Sequence, residues 1–237
     1  MPVDRLPKTA AEVHPVREVL LVGEADLEPF AKLLASEGLR PAEFSRRARL
    51  LISTTDTKFY GVRFREFSVS VVVENDAADA NGLTSVFLIQ AINTVRFFAW
   101  VERRVFSTPY AHARIAMSSA PSAFANVDKQ GTPLVRMRMD SVDRKPLRQG
   151  EEHLDCQVYL PTKPGRDPQQ HGTLFFATLT GTAAVYAPSP EDEVTFHSHG
   201  EFPVLQQLID ANCRPVEWLL RDFGRHKKTK TVARDWS

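Results

Sequence analysis

Apolar and polar residues alternate clearly in the run 59–73 of this 237-residue chain. One set of alternate positions is apolar and the other is largely polar: Phe67, Val69, Val71 and Val73 against Glu66, Ser68 and Ser70. Successive residues of a strand face opposite sides of a sheet. The pattern therefore predicts a sheet with one packed side and one polar side.

Alternation and short apolar runs predict strands along most of the chain. The predicted strands are 17–22, 50–54, 59–73, 133–139, 153–160, 173–187 and 194–198. The TTDTK segment is predicted to be the turn between the second and third of these. Residues 74–82 and 161–172 are rich in turn-forming residues and predict loops.

Four helices are expected. They are predicted after Asp26, from near Asn93, from Pro203 and over 215–223. The second should end before Pro109, because the residue before a proline favours extended geometry.

The stretch 82–118 reads as strand, helix and strand, and its last strand carries Tyr110, His112 and Arg114 at alternate positions. Such a face either lines a polar cavity or is exposed to solvent, and the residues alone do not decide between these two alternatives.

On the helical wheel of the preceding helix, Glu102 falls in the apolar arc, opposite Arg103 and Arg104. We expect this carboxylate to find a partner or to have a raised pKa, because burial penalises its charged form.

Composition narrows the class of partner. The 30 basic and 29 acidic residues leave a net charge of +1, which favours a small-molecule ligand over nucleic acid or a membrane surface. No GxGxxG or GxxxxGK[ST] segment occurs, and no cofactor is predicted. We expect one domain over 1–237, with an N-terminal arm (1–15) and an exposed basic tail (225–237) at its periphery.

Metal binding is not predicted. His197 and His199 share a strand face, but no further ligand lies at suitable spacing nearby, so two ordinary imidazoles are the preferred interpretation. Cys156 and Cys213 are expected to be reduced and buried. The N-terminus lacks an apolar leader segment, which favours a cytoplasmic protein.

Two segments, FREFSVSVVV at 64–73 and FSTPYAHARI at 106–115, together with the order of elements between them, resemble the acetoacetate decarboxylase-like superfamily, in particular its uncharacterised YqjF-like bacterial branch. The resemblance extends from about residue 17 to 202. It implies an α+β fold in which an antiparallel sheet is rolled into a cone or barrel around an internal cavity, with helices packed outside.

The resemblance also implies a site. Arg17 matches a substrate-side arginine, Glu66 a cavity glutamate and Arg103 the arginine of a helix motif. The position of the Schiff-base lysine is Tyr110, and a phenol cannot replace an amine in imine chemistry. The other lysines lie in polar segments, turns or the predicted tail. We therefore expect borohydride reduction to trap no adduct on a lysine.

These observations predict a cavity that binds a small anionic keto or hydroxy acid. The expected catalytic residues are Glu66, Tyr110 and His112, and the expected ligand-binding residues are Arg17, Arg103, Arg114 and Glu102. Three functions stay open: a lyase- or isomerase-like enzyme without an imine, a non-catalytic sensor or carrier, and a protein acting through its surface. A homo-oligomer is compatible with all three.

Overall fold

The computed structural model describes residues 8–75, 83–120, 122–140, 143–163 and 165–234. Its strands are β1 (Thr9–Asp26), β2 (Glu43–Phe44), β3 (Arg47–Phe59), β4 (Val62–Val72), β5 (Thr84–Asn93), β6 (Tyr110–His112), β7 (Arg114–Ser118), β8 (Phe124–Lys129), β9 (Thr132–Arg138), β10 (Arg148–Leu160), β11 (Thr173–Tyr186), β12 (Glu193–Phe196), β13 (Arg214–Thr229) and β14 (Val232–Ala233). Its helices are α1 (Leu27–Ala35), α2 (Arg96–Val105), α3 (Pro168–His171) and α4 (Pro203–Asp210).

Seven strands close into a ring. The order is β1–β13–β11–β10–β5–β4–β3, and β3 pairs back with β1. Neighbours in the ring are antiparallel except β10 and β5, which run parallel. Closure satisfies the edges that an open sheet would expose. The predicted α+β barrel is confirmed, with this one parallel pair as a departure from the antiparallel expectation.

The main apolar core lies outside the ring. Phe67 and Val69 on the outer face of β4 belong to one buried cluster with Phe30 of α1, Leu205 of α4 and Val127 of β8. Strands β12, β9, β8 and β7 form a second sheet that shares this core. The predicted packed side of the 59–73 alternation thus faces helices and a second sheet, and its polar side faces the interior of the ring.

None of the helices in the described ranges is long and apolar enough to cross a membrane.

A break in alternation along β13 determines which side chains enter the ring. Leu219 and Arg221 face the interior before the break, and His226 and Lys228 face it afterwards. Between them lies Phe223 with a φ of 54°, next to an irregularity in the pairing with β11. A bulge adds one residue and so reverses which parity of positions points inward. Lys228 reaches the interior because of this bulge.

Gly181 lies opposite the bulge on β11, and its replacement by alanine should be costly. Its φ is +135°, and an added Cβ would lie 2.6 Å from the Gly224 Cα. We expect Gly181→Ala to lower the free energy of unfolding by about 1–3 kcal/mol, measured by urea denaturation. Gly150→Ala is the matched control, since nothing lies within 4 Å of its added Cβ. Equal effects of the two substitutions would contradict this account of the bulge.

Several sequence predictions are corrected at the C-terminal end. The segment 215–223 is part of strand β13, and the predicted tail 225–237 supplies 225–229 to the same strand. Pairing with β1 on one side and β11 on the other outweighs the helix-like apolar spacing of this segment. The predicted arm 1–15 likewise enters the ring from Thr9, and residues 1–7 lie outside the described ranges.

Other corrections concern boundaries. The TTDTK segment is inside β3, and the turn to β4 follows at Tyr60 and Gly61. The single strand expected after Pro109 is interrupted at Ala113, so that β6 joins the ring sheet beside β5 while β7 joins the second sheet. Strand β8 lies in a segment for which no strand is predicted.

Candidate functional site

One end of the ring interior encloses a cavity of about 430 Å³. All seven ring strands contribute to its wall. Helix α2 lies across it through Phe98, Val101 and Glu102, and Phe106 directly after the helix also lines it. The volume is in the range of small-molecule sites, which are usually mostly apolar with a few polar groups.

Most of the wall is apolar. Phe98 of α2 meets Phe59 and Phe64 edge to face, with ring centroids 6.2 and 5.3 Å apart. The remaining aliphatic and aromatic side chains of the wall are Ala10, Ala11, Val13, Val16, Val86, Leu88, Val101, Phe106, Val158, Phe175 and Ala177. The inward-facing Ser68 and Ser70 that the alternation of β4 predicts are therefore a minority of the wall.

A buried lysine is the central polar group of the cavity. Lys228 is 9% exposed, and its Nζ donates a hydrogen bond to Glu102 Oε2 at 2.7 Å. The ammonium also lies 4.8 Å from the ring centroid of Phe106 and 4.6 Å from that of Phe175. Thr108 Oγ1 donates to the same Glu102 oxygen at 3.0 Å. The expectation that Glu102 needs a partner is confirmed.

Glu66 shares this environment. Burial inside the ring raises the pKa of its carboxyl to about 7, and the negative charge of Glu102 acts in the same direction. Hydrogen bonds from Tyr110 and Asn93 and the charge of Lys228 partly oppose the shift. Burial and the two carboxylates raise the pKa of Tyr110 well above its ordinary value. Near neutral pH, Glu66 can therefore accept or donate a proton, and Tyr110 is a neutral donor.

His226 is the other titratable group of the wall. Burial, reinforced by the charge of Lys228, lowers the pKa of its imidazole to about 4. It is thus neutral at physiological pH and adds no charge to the cavity.

Glu66 and His226 should give the stability of the protein opposite dependences on pH. Folded Glu66 keeps a proton up to about pH 7 that the unfolded chain releases near 4.5, so its contribution to the free energy of unfolding falls as pH rises through that window. Unfolded His226 takes up a proton below 6.5 that the folded protein refuses down to about pH 4, so its contribution rises with pH. Each of these contributions to the free energy of unfolding amounts to about 3 kcal/mol. Because they have opposite signs, they largely cancel in the wild type over the pH range that both groups share.

Single substitutions should uncover each slope. In Glu66→Gln only the His226 contribution is left, so the free energy of unfolding of this variant is expected to rise as pH goes from 4 to 6.5. In His226→Gln only the Glu66 contribution is left, so its free energy of unfolding is expected to fall as pH goes from 4.5 to 7. Urea unfolding at a series of pH values measures both. Slopes identical to that of the wild type in both variants would contradict the assignment.

The structure brings three of the sequence-predicted site residues together. Glu66, Glu102 and Tyr110 all line the cavity, from β4, α2 and β6 respectively. Tyr110 points inward because β6 continues the ring sheet beside the end of β5, where Ala91 pairs with it.

The other four predicted residues lie outside the cavity wall. Arg17 is at an outward-facing position of β1, and its side chain is 54% exposed. Its Nε lies 3.8 Å from Asp222 Oδ1. Arg103 is on the outer face of α2, and Arg114 begins β7 in the second sheet; both are exposed.

His112 is also separated from the cavity. Its carbonyl accepts a hydrogen bond from Lys129 Nζ at 2.9 Å. Burial, Arg96 and Lys129 lower the pKa of its imidazole. Because the chain is interrupted at Ala113, the alternation of Tyr110, His112 and Arg114 does not produce one shared face.

Sequence reasoning missed Lys228, His226 and Asn93. No local pattern marks Lys228, since Lys227 and Lys230 flank it and resemble an exposed basic tail. Its inward direction depends on the bulge, which arises from long-range pairing. The statement that every lysine lies in a polar or exposed segment is therefore wrong for this residue.

Metal ligands do not converge in the described part of the chain. No three His, Cys, Asp or Glu side chains there are placed to hold a metal ion. Cys156 and Cys213 are both free thiols.

Comparison with known proteins identifies the fold. No protein-family model and no curated protein matches the sequence. Among solved structures, acetoacetate decarboxylase from Legionella pneumophila has a TM-score of 0.66 at 14% identity, covering 99% of this chain and 92% of that one. The chain has the acetoacetate decarboxylase-like fold.

Two further structures share this acetoacetate decarboxylase-like fold. The enduracididine biosynthesis enzyme MppR, complexed with pyruvate, has a TM-score of 0.61 at 14% identity, over 97% of this chain and 93% of that one. An acetoacetate decarboxylase-like enzyme from Sphingomonas wittichii has a TM-score of 0.59 at 10% identity, over 94% and 92%. The assignment to the YqjF-like branch stays a prediction.

Proposed function

We propose that this protein is a member of the acetoacetate decarboxylase-like superfamily that binds a small organic carbonyl compound in the ring cavity and forms an imine with it through Lys228. The observation that carries the proposal is the buried Lys228 amine at the apolar cavity, 2.7 Å from Glu102 and beside Glu66 and Tyr110. This replaces the sequence-based expectation of chemistry without an imine, which rested on Tyr110 at the lysine position and on the assumption that no other lysine reaches the interior.

The groups present suit each step of imine formation. Lys228 first passes a proton to Glu102, its partner at 2.7 Å, and the free amine then adds to the carbonyl carbon. The proton that the nitrogen loses on addition passes to the resulting alkoxide oxygen and gives a neutral carbinolamine. Glu66 then donates a proton to the departing hydroxyl, water leaves, and a protonated imine remains. Glu66 is suited to this because its pKa of about 7 allows both proton states near neutrality. The imine is an electron sink that weakens a neighbouring C–C or C–H bond.

The neighbouring structures support carbonyl chemistry in this fold. One acetoacetate decarboxylase and the pyruvate complex of MppR are among them. MppR has also been solved with the condensation product of pyruvate and imidazole 4-carboxaldehyde. In this chain the amine comes from β13, whereas the resemblance places the decarboxylase lysine at the position of Tyr110.

A second candidate function is a non-catalytic carrier. The short contact between Lys228 and Glu102 favours it, because an ammonium held in an ion pair donates hydrogen bonds and does not attack a carbonyl. The carrier would hold the carbonyl oxygen through Lys228 and Tyr110.

Reductive trapping distinguishes the two. The full-length protein is incubated with borohydride and either pyruvate, acetoacetate or 2-octanone, and its intact mass is measured. The imine proposal predicts a stable increase equal to the carbonyl compound less one oxygen with at least one probe. Binding of a probe without any increase supports the carrier, and absence of both binding and adduct overturns both functions.

A further inference from the structure

We infer that the cavity selects an uncharged carbonyl compound with an apolar chain, such as an aliphatic or aromatic ketone or aldehyde, rather than an oxo acid. The inference rests on the proposed function for the carbonyl group. The charge and the apolar chain of the ligand are inferred from the wall of the cavity.

The charges that line the cavity disfavour an anionic ligand. Among described residues, the ionisable carboxyl and ammonium groups lining the cavity are Glu66, Glu102 and Lys228, and no arginine lines it. His226 is neutral at physiological pH. One cation therefore faces one carboxylate and a second that is partly ionised, so the cavity is neutral to negative. A ligand carboxylate would meet like charge in a low-dielectric space.

The single cation is also fully engaged. Lys228 is paired with Glu102 at 2.7 Å and lies over the rings of Phe106 and Phe175. The arginines that would have formed a carboxylate fork, Arg17 and Arg114, are on the outside. Holding a carboxylate would require Lys228 to give up these contacts.

The size and the apolar wall of the cavity favour a ligand with an apolar chain. A cavity of about 430 Å³ far exceeds the needs of a three-carbon acid, and most of its wall is aliphatic or aromatic. The cluster of Phe59, Phe64 and Phe98 offers an apolar surface and no hydrogen-bond donor to a second polar group. An apolar chain fills this space with a gain in free energy that a polar one lacks.

A matched pair of probes tests the inference. In 2-octanone and 2-oxooctanoate, the same six-carbon chain and carbonyl carry either a methyl group or a carboxylate. Isothermal titration of the full-length protein should show 2-octanone binding at least about tenfold more tightly. Across 2-butanone to 2-octanone, affinity should rise about threefold to fourfold per methylene. Equal or tighter binding of the oxo acid overturns the inference, and so does a flat chain-length series.

Glu102→Gln provides an independent variant. Removing this carboxylate frees the charge of Lys228, so the affinity for 2-oxooctanoate should rise about tenfold while that for the uncharged ketone changes less. An unchanged preference in this variant would contradict the electrostatic argument. If the protein prefers the ketone but forms no reductive adduct, the inferred ligand class is supported and the proposed imine formation is wrong. If neither probe binds, the ligand class is wrong.

Discussion

Lys228→Arg is expected to reduce the rate of reductive trapping at least on the order of 100-fold. Arginine keeps a cation beside Glu102 but is not a nucleophile at accessible pH, so the ion pair survives and the amine chemistry does not. The measurement is the intact mass of the protein after borohydride reduction with 2-octanone over time. The melting temperature of the same sample reports whether the fold is kept.

The neighbouring residue supplies the control. Lys227 is at an outward-facing position of β13 and is exposed, and its Nζ lies 3.8 Å from Glu12 Oε2. Lys227→Arg should trap at the wild-type rate. Equal loss in both variants, or none in either, would show that the adduct does not depend on the cavity amine.

Arg221→Met is expected to lower the free energy of unfolding by about 3–5 kcal/mol. Arg221 is 1% exposed, and its Nε donates to Glu18 Oε2 at 3.2 Å. Its Nη1 also donates to the carbonyls of Glu152 and Gly181. Methionine would leave the buried carboxylate of Glu18 without its counter-charge and both carbonyls without this donor.

Two comparisons test the cause. Arg17→Met removes an exposed arginine 3.8 Å from its partner and should cost no more than about 1 kcal/mol. Adding Glu18→Gln to Arg221→Met should recover part of the loss, because the uncompensated charge is gone. Urea denaturation measures all three variants, and a loss in Arg221→Met no larger than in Arg17→Met would contradict the account.

The sequence predicts those parts of the fold that depend on local alternation. The faces of β4 are a clear example, since Phe67 and Val69 pack outside the ring while Glu66 and Ser68 face inward. The need of Glu102 for a partner also follows from its place on one helix. Both conclusions use only the period of a single element.

Features that depend on pairing between distant segments are not predictable in this way. Arg17 matches a family position, yet β1 directs Val16 and Glu18 inward and Arg17 outward. The alternation from Tyr110 onward holds only within one continuous strand, and the interruption at Ala113 sends the two halves to different sheets.

The position of Lys228 depends both on long-range strand pairing and on an interruption of the alternation. Residues 215–223 have helix-like apolar spacing, and only the pairing of β13 with β1 and β11 makes them a strand. The bulge then reverses which alternate positions of β13 face inward. In a regular strand Lys228 would lie on the same outer face as Trp218. The residue on which the proposed chemistry depends is therefore visible only in three dimensions.

The most direct test of the central claim is to locate the reduced adduct. Wild-type protein is treated with borohydride and 2-octanone, digested, and sequenced by tandem mass spectrometry. The account predicts that the added mass, the ketone less one oxygen, lies on Lys228. An adduct confined to other lysines, or no adduct under conditions in which 2-octanone binds, would contradict it.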